Sequence, residues 1–206
     1  MTKLAAALVV TFFVFPFNLA SGQDFPSGTV LWFHPNQELR IRNLPLVAAS
    51  STDSSAILTA AMETIIRDKT ACCGRYSALG DALLSDPSSL KELRTKLQGK
   101  HLLTEGGAIV VNAELLPAGG DDSTLILNAL EHQDPLLMEW NSNFYVLHGA
   151  IFNETRYSNG TSQYSILKLL LLDPRFSDKR RETEFSRGVD DWGKVQGLMT
   201  ITVTRQ

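Results

Sequence analysis

Disulfide staples are the first thing this chain lacks. Its 206 residues contain two cysteines, and they are neighbours, Cys72 and Cys73. Adjacent Cα atoms lie about 3.8 Å apart, below the usual disulfide range of about 4.4–6.8 Å. A small disulfide-stapled scaffold is therefore excluded, and at least one free thiol stays in play. Positive charge is also scarce: 19 Lys and Arg stand against 22 Asp and Glu, a formal net charge of −3, with no basic stripe. That excludes a surface built to follow a phosphate backbone, so no nucleic-acid partner is expected. No His/Cys cluster has zinc-ligand spacing, so no metal is expected, and nothing calls for another cofactor. Beyond the N-terminus no apolar run is long enough to cross a bilayer, since "ILKLLLLDP" is short and carries Lys168.

The N-terminus reads as an export signal over residues 1–22. Lys3 supplies the positive start, "LAAALVVTFFVF" the apolar stretch, and Ala20-Ser21-Gly22 the small residues before Gln23. Pro16 and Asn18 interrupt the apolar run, which argues against an anchor and leaves no stable membrane span once the signal is cleaved. The mature protein is expected to be secreted or periplasmic, with residues 23–206 forming one domain.

Along that domain, "SGTVLWFH" and "QELRIRN" suggest two short strands joined by a turn at "HPNQ". The polar linker "VAASSTDSS" precedes "AILTAAMETIIRD", where Ile57, Ala61 and Ile65 recur at helical spacing. A second helix is expected from Gly74 to about Leu84, and a third over "LKELRTKLQG", capped by Ser88 or Ser89 and closed by Gly99. An apolar run, "GAIVVN", leads through "GGDDS", read as a capped helix start and not a metal loop, into "TLILNALEHQ". The remainder is strand-like: "DPLLMEW", "NFYVLHGAIFN", "QYSILKLLLLD" and "GLMTITVTR". Asn159-Gly160 reads as a hairpin turn, and "SDKRRETEFSR" as a solvated loop of mixed charge. Asn153-Glu-Thr and Asn159-Gly-Thr would be glycosylation acceptors only in a eukaryotic host. Helices followed by an antiparallel sheet give an α+β fold, a helical half facing a sheet half with a cleft between them.

"CGRYSAL", "LKELRTKLQGKHLL", "LILNALEHQDPLLMEWNSNFYVLHGAIFN" and "LLLLDPR" occur in this order over residues 60–175. The series resembles the papain-like cysteine peptidases, in particular the branch that processes bacterial leader peptides. The resemblance implies a helical half packed on a twisted antiparallel sheet, a peptide as substrate, Cys73 as nucleophile and Asp173 as the residue that orients the base. Counted back from Gly149, the position at which the family carries its histidine holds Asn143, and "IIRDKTAC" lacks the family's glutamine before the cysteine.

A thiol becomes a useful nucleophile when a helix N-terminus and an imidazole favour its thiolate. Gly74 and the following helix would supply the first device. Of the four histidines, His34 reads as a surface residue, and His101 and His132 as cations suited to helix C-termini. His148 is the candidate base. It lies five positions from Asn143, so an undistorted strand points the two to opposite faces, and a bulge would be needed to bring His148 round. Asp173-Pro174 is equally ordinary turn chemistry. Three readings stay open: a thiol peptidase using Cys73, His148 and Asp173; the same fold retained as a silent peptide-binding module; or an unrelated exported α+β protein with a redox-sensitive Cys72–Cys73 pair.

Overall fold

The computed structural model describes residues 28–70, 89–102, 107–116, 123–177, 182–186 and 195–205. The element order is β1 (Val30–Arg40), α1 (Ser54–Thr70), α2 (Leu90–Leu97), β2 (Gly99–Leu102), β3 (Ala108–Leu115), α3 (Ser123–Glu131), β4 (Leu136–Trp140), β5 (Asn143–Tyr157), β6 (Ser162–Leu172), β7 (Glu182–Ser186) and β8 (Val195–Arg205). The architecture is α+β. One eight-stranded sheet runs β2-β3-β8-β4-β5-β6-β7, with β1 added against β5, and every pairing is antiparallel. β5 is long enough to take two partners along one edge. β4 pairs with its first half and β1 with its second.

Alternation along the strands builds two cores, one on each face. Leu137, Phe144, Val146, Leu172, Met199 and Ile201 pack with α1 and α2. Leu136, Met138, Tyr145, Leu147, Leu169, Leu171 and Leu198 pack with Ile126, Leu127 and Leu130 of α3. The sheet is therefore covered on both faces, where the sequence suggested helices on one side only. The reason is α3: its apolar positions fit the face that α1 and α2 leave open.

Local chemistry fixes the ends of these elements. Ser89 caps α2 by accepting the Glu92 amide, and Glu92 pairs with Lys96 one turn on at 2.8 Å. Asn141 and Ser142 both have positive φ, which suits the tight two-residue hairpin between β4 and β5. Gly160, at φ +85°, closes the β5–β6 hairpin at the expected Asn159-Gly160 turn.

Two further expectations are corrected. The suggested pair of N-terminal strands is one strand, β1, whose "HPNQ" stretch is a register shift between His34 and Gln37 against β5. A bulge absorbs Pro35, which has no amide to donate, without ending the ladder. The charged loop also contains a strand: Glu182–Ser186 is β7 and pairs with β6, with Phe185 buried beneath it.

Candidate functional site

The export signal, Cys72, Cys73, Gly74 and the helix expected after them lie outside the described residues. α1 packs Ile57, Leu58, Ala61, Met62, Ile65 and Ile66 onto the sheet and runs to Thr70. Thr64 ties the helix to the strand-to-helix crossing, its hydroxyl accepting the Val47 amide at 2.9 Å.

Asn143 opens β5 opposite Trp140. Its amide donates to the Asn141 carbonyl at 3.0 Å across the hairpin, so the side chain serves the turn. By alternation it shares the α3 face with Tyr145 and Leu147.

His148 lies at a β-bulge. Leu147 pairs with Leu171 and Gly149 with Leu170, which leaves His148 as the extra residue on β5. The residues before the bulge alternate with Phe144 and Val146 on the α1 face, and Ala150 after it rejoins the α3-side core. His148 is 4% exposed and lines a pocket with Leu172, itself part of the α1-side core. The bulge is present, and the register on either side of it puts His148 on the face opposite Asn143. Gly149 makes the geometry possible: a Cβ there would meet the Leu39 carbonyl oxygen at 2.9 Å and Leu170 Cδ1 at 3.0 Å.

Asp173 directly follows β6, 4% exposed, and its carboxylate holds Arg175. Oδ1 accepts the Arg175 backbone amide at 3.0 Å and Nε at 2.9 Å, while Oδ2 accepts Nε and Nη2. Nη2 also donates to the Tyr145 hydroxyl at 3.2 Å, and the guanidinium lies 5.8 Å from the Tyr145 and Phe176 ring centres. The Asp173 hydrogen bonds are the largest influence raising the Arg175 proton affinity above its ordinary value. Burial pushes the Tyr145 hydroxyl upward, with the Arg175 charge opposing. Through Tyr145 this network belongs to the α3 face. Nothing in the sequence links Arg175 to Tyr145; the one local signal is the Asp-x-Arg spacing, which suits an Asx turn.

The other histidines are accounted for locally. His101 Nε2 lies 2.7 Å from the Leu97 carbonyl and His132 Nδ1 lies 2.7 Å from that of Asn128. A carbonyl only accepts, so each of those ring nitrogens carries a proton. His34 is exposed and stacks with Trp32, ring centres 4.1 Å apart.

Among the described residues no group of three or more His, Cys, Asp or Glu is arranged to hold a metal ion, and no helix is long and apolar enough to cross a membrane. The chain matches no protein-family model, no curated protein and no solved structure.

Proposed function

We propose that the chain is an exported papain-like, peptidase-type domain that accepts a peptide without hydrolysing it. The observation that carries this reading is the division of its candidate residues between the two faces of the sheet. A base and its orienting carboxylate must meet within hydrogen-bond reach, about 2.6–3.2 Å. The register around the bulge puts His148 on the α1 side, whereas Asp173 holds Arg175 against Tyr145 on the α3 side. On the α3 face the position expected for the base is Asn143, whose amide cannot take a proton. Peptide as ligand rests on the sequence resemblance.

One observation favours a second reading, a thiol hydrolase working through a Cys73–His148 pair without Asp173. α1 and His148 share a face, and Cys73 follows three residues after α1 ends. The rate of Cys73 alkylation against pH separates the two, measured on gently reduced protein, with the adduct located by mass spectrometry and His148→Gln run alongside. The silent module gives a profile titrating near the free-thiol value of about 8.5, unchanged in the variant. A thiol that reacts rapidly at pH 6 and slows in the variant overturns that reading and establishes the hydrolase pair.

A further inference from the structure

We propose that the pocket beside the His148 bulge binds a small aliphatic carboxylate. The pocket, of about 330 Å³, is lined by Arg40, Ile41, Arg42, Asn43, Leu44, His148, Leu172 and Glu182. Backbone geometry builds it. Gly149 lets β1 approach β5 closely, and the Ile41 amide donates to the His148 carbonyl at 2.8 Å, which fixes the chain as it leaves β1. Residues 42–44 then cross over the end of the sheet as the wall of the pocket, with Asn43 at φ +60° marking the bend.

The lining sorts by chemistry. Ile41, Leu44 and Leu172 give an apolar floor, and the buried His148 lines the pocket beside them. Arg40 is shared between Glu38 at 3.0 Å and Glu182 at 3.7 Å, so its charge is largely answered. Arg42 lies exposed at the rim and makes no ion pair among the described residues. With Arg40 held by Glu38 and Glu182, Arg42 is the lining cation without an ion pair among the described residues, and its planar fork suits a two-oxygen anion. The volume is near the lower end of ligand pockets, about 300–1,000 Å³. Together these features fit a compact ligand with a carboxylate at Arg42 and a short aliphatic body on Leu44 and Leu172. The proposal is independent of the thiol and of peptide binding.

The test is NMR of the full chain carrying ¹³C-labelled histidine, the His148 signal being assigned by elimination with His34→Gln, His101→Gln and His132→Gln. N-acetyl-leucine is the probe, with N-acetyl-leucinamide and inorganic phosphate as comparisons. The expected result is a saturable shift of the His148 signal with a dissociation constant on the order of 1 mM. The amide should give none, and phosphate should bind at least about tenfold more weakly because it leaves the apolar floor uncovered. Arg42→Met, which retains the stem of an exposed side chain, should weaken binding by about tenfold or more through loss of a charge-assisted pair. A shift that does not saturate, equal binding of the amide or of phosphate, or an Arg42→Met titration identical to the parent overturns the proposal.

Discussion

Replacing Asp173 with alanine removes every carboxylate acceptor that holds Arg175 and leaves a guanidinium packed against two aromatic rings with its partner gone. The carboxylate side chain is 5% exposed and the guanidinium side chain 30%, so the pair is buried at one end and wetted at the other. Breaking a fully buried pair costs about 3–5 kcal/mol, because the surviving charge is left desolvated. Water can reach part of Arg175, which places the Asp173→Ala loss at the lower limit, about 3 kcal/mol. Arg175→Met strands the more deeply buried member, and its loss should approach about 4 kcal/mol. With a slope of about 2 kcal/mol per molar urea, the Asp173→Ala midpoint should fall by about 1.5 M. The double variant should be far less destabilised than the sum of the two singles, since no charge then remains. Urea unfolding of the four proteins provides the cycle. A loss below about 1 kcal/mol for Asp173→Ala, or singles that add to within about 0.5 kcal/mol, would refute the reasoning. The same variants bear on function: if Asp173 serves Arg175 alone, its removal changes stability and leaves the pH profile of Cys73 alkylation where it was.

Gly149→Ala should destabilise by about 1–3 kcal/mol, because the new methyl meets a backbone carbonyl that β1 cannot easily withdraw; a thermal midpoint equal to the parent would contradict the close approach. Phe185→Ala should cost about 3–5 kcal/mol, since a fully buried ring that stacks edge-on with Trp140 leaves a cavity. A loss under about 1 kcal/mol would mean that β7 is not part of the core. Glu139 tests the electrostatics by pH. Burial raises its carboxyl above the ordinary range, against a smaller lowering by its hydrogen bond with the Leu90 backbone. A raised carboxyl contributes stability below its unfolded-state value and loses that contribution as pH rises through the folded value. Glu139→Gln should therefore match the parent near pH 3 and exceed it at pH 7 in urea midpoint; a parent that is the more stable at pH 7 would reverse the sign.

How much of the fold could be read in advance depends on whether a segment's own pattern decides its state. Ser89 and the leucines at 90, 93 and 97 specify a capped amphipathic helix locally, and that helix forms. Asn159-Gly160 likewise carries its turn chemistry within itself. β7 does not. Glu182, Thr183, Glu184 and Ser186 are polar because they lie at an edge with one side in water, and only Phe185 marks the buried side. One aromatic among charges is indistinguishable from a loop until β6 is there to pair with it. β2 is similar, a four-residue strand whose ladder is supplied by β3. β1 was divided because Pro35 normally ends a run, a rule that tertiary pairing overrides through the register shift between His34 and Gln37.

The site was legible in residue types and illegible in direction. Strand parity puts Asn143 and His148 on opposite faces, and the possible exception, a bulge, does occur at His148. A bulge can turn a residue to either side, however, and which side depends on the pairing after it. Here Ala150 returns to the α3-side core with Leu169, so the extra residue is absorbed while His148 still points toward α1. Asp173 shows the same limit. Its type suits both an orienting carboxylate and a turn, and the choice falls to Arg175, two residues on, which reaches both carboxylate oxygens and the Tyr145 hydroxyl. A guanidinium so close in sequence needs little ordering to make that contact, whereas a histidine on a neighbouring strand must be aimed at it by the fold. In this sheet the nearest strand histidine is aimed the other way.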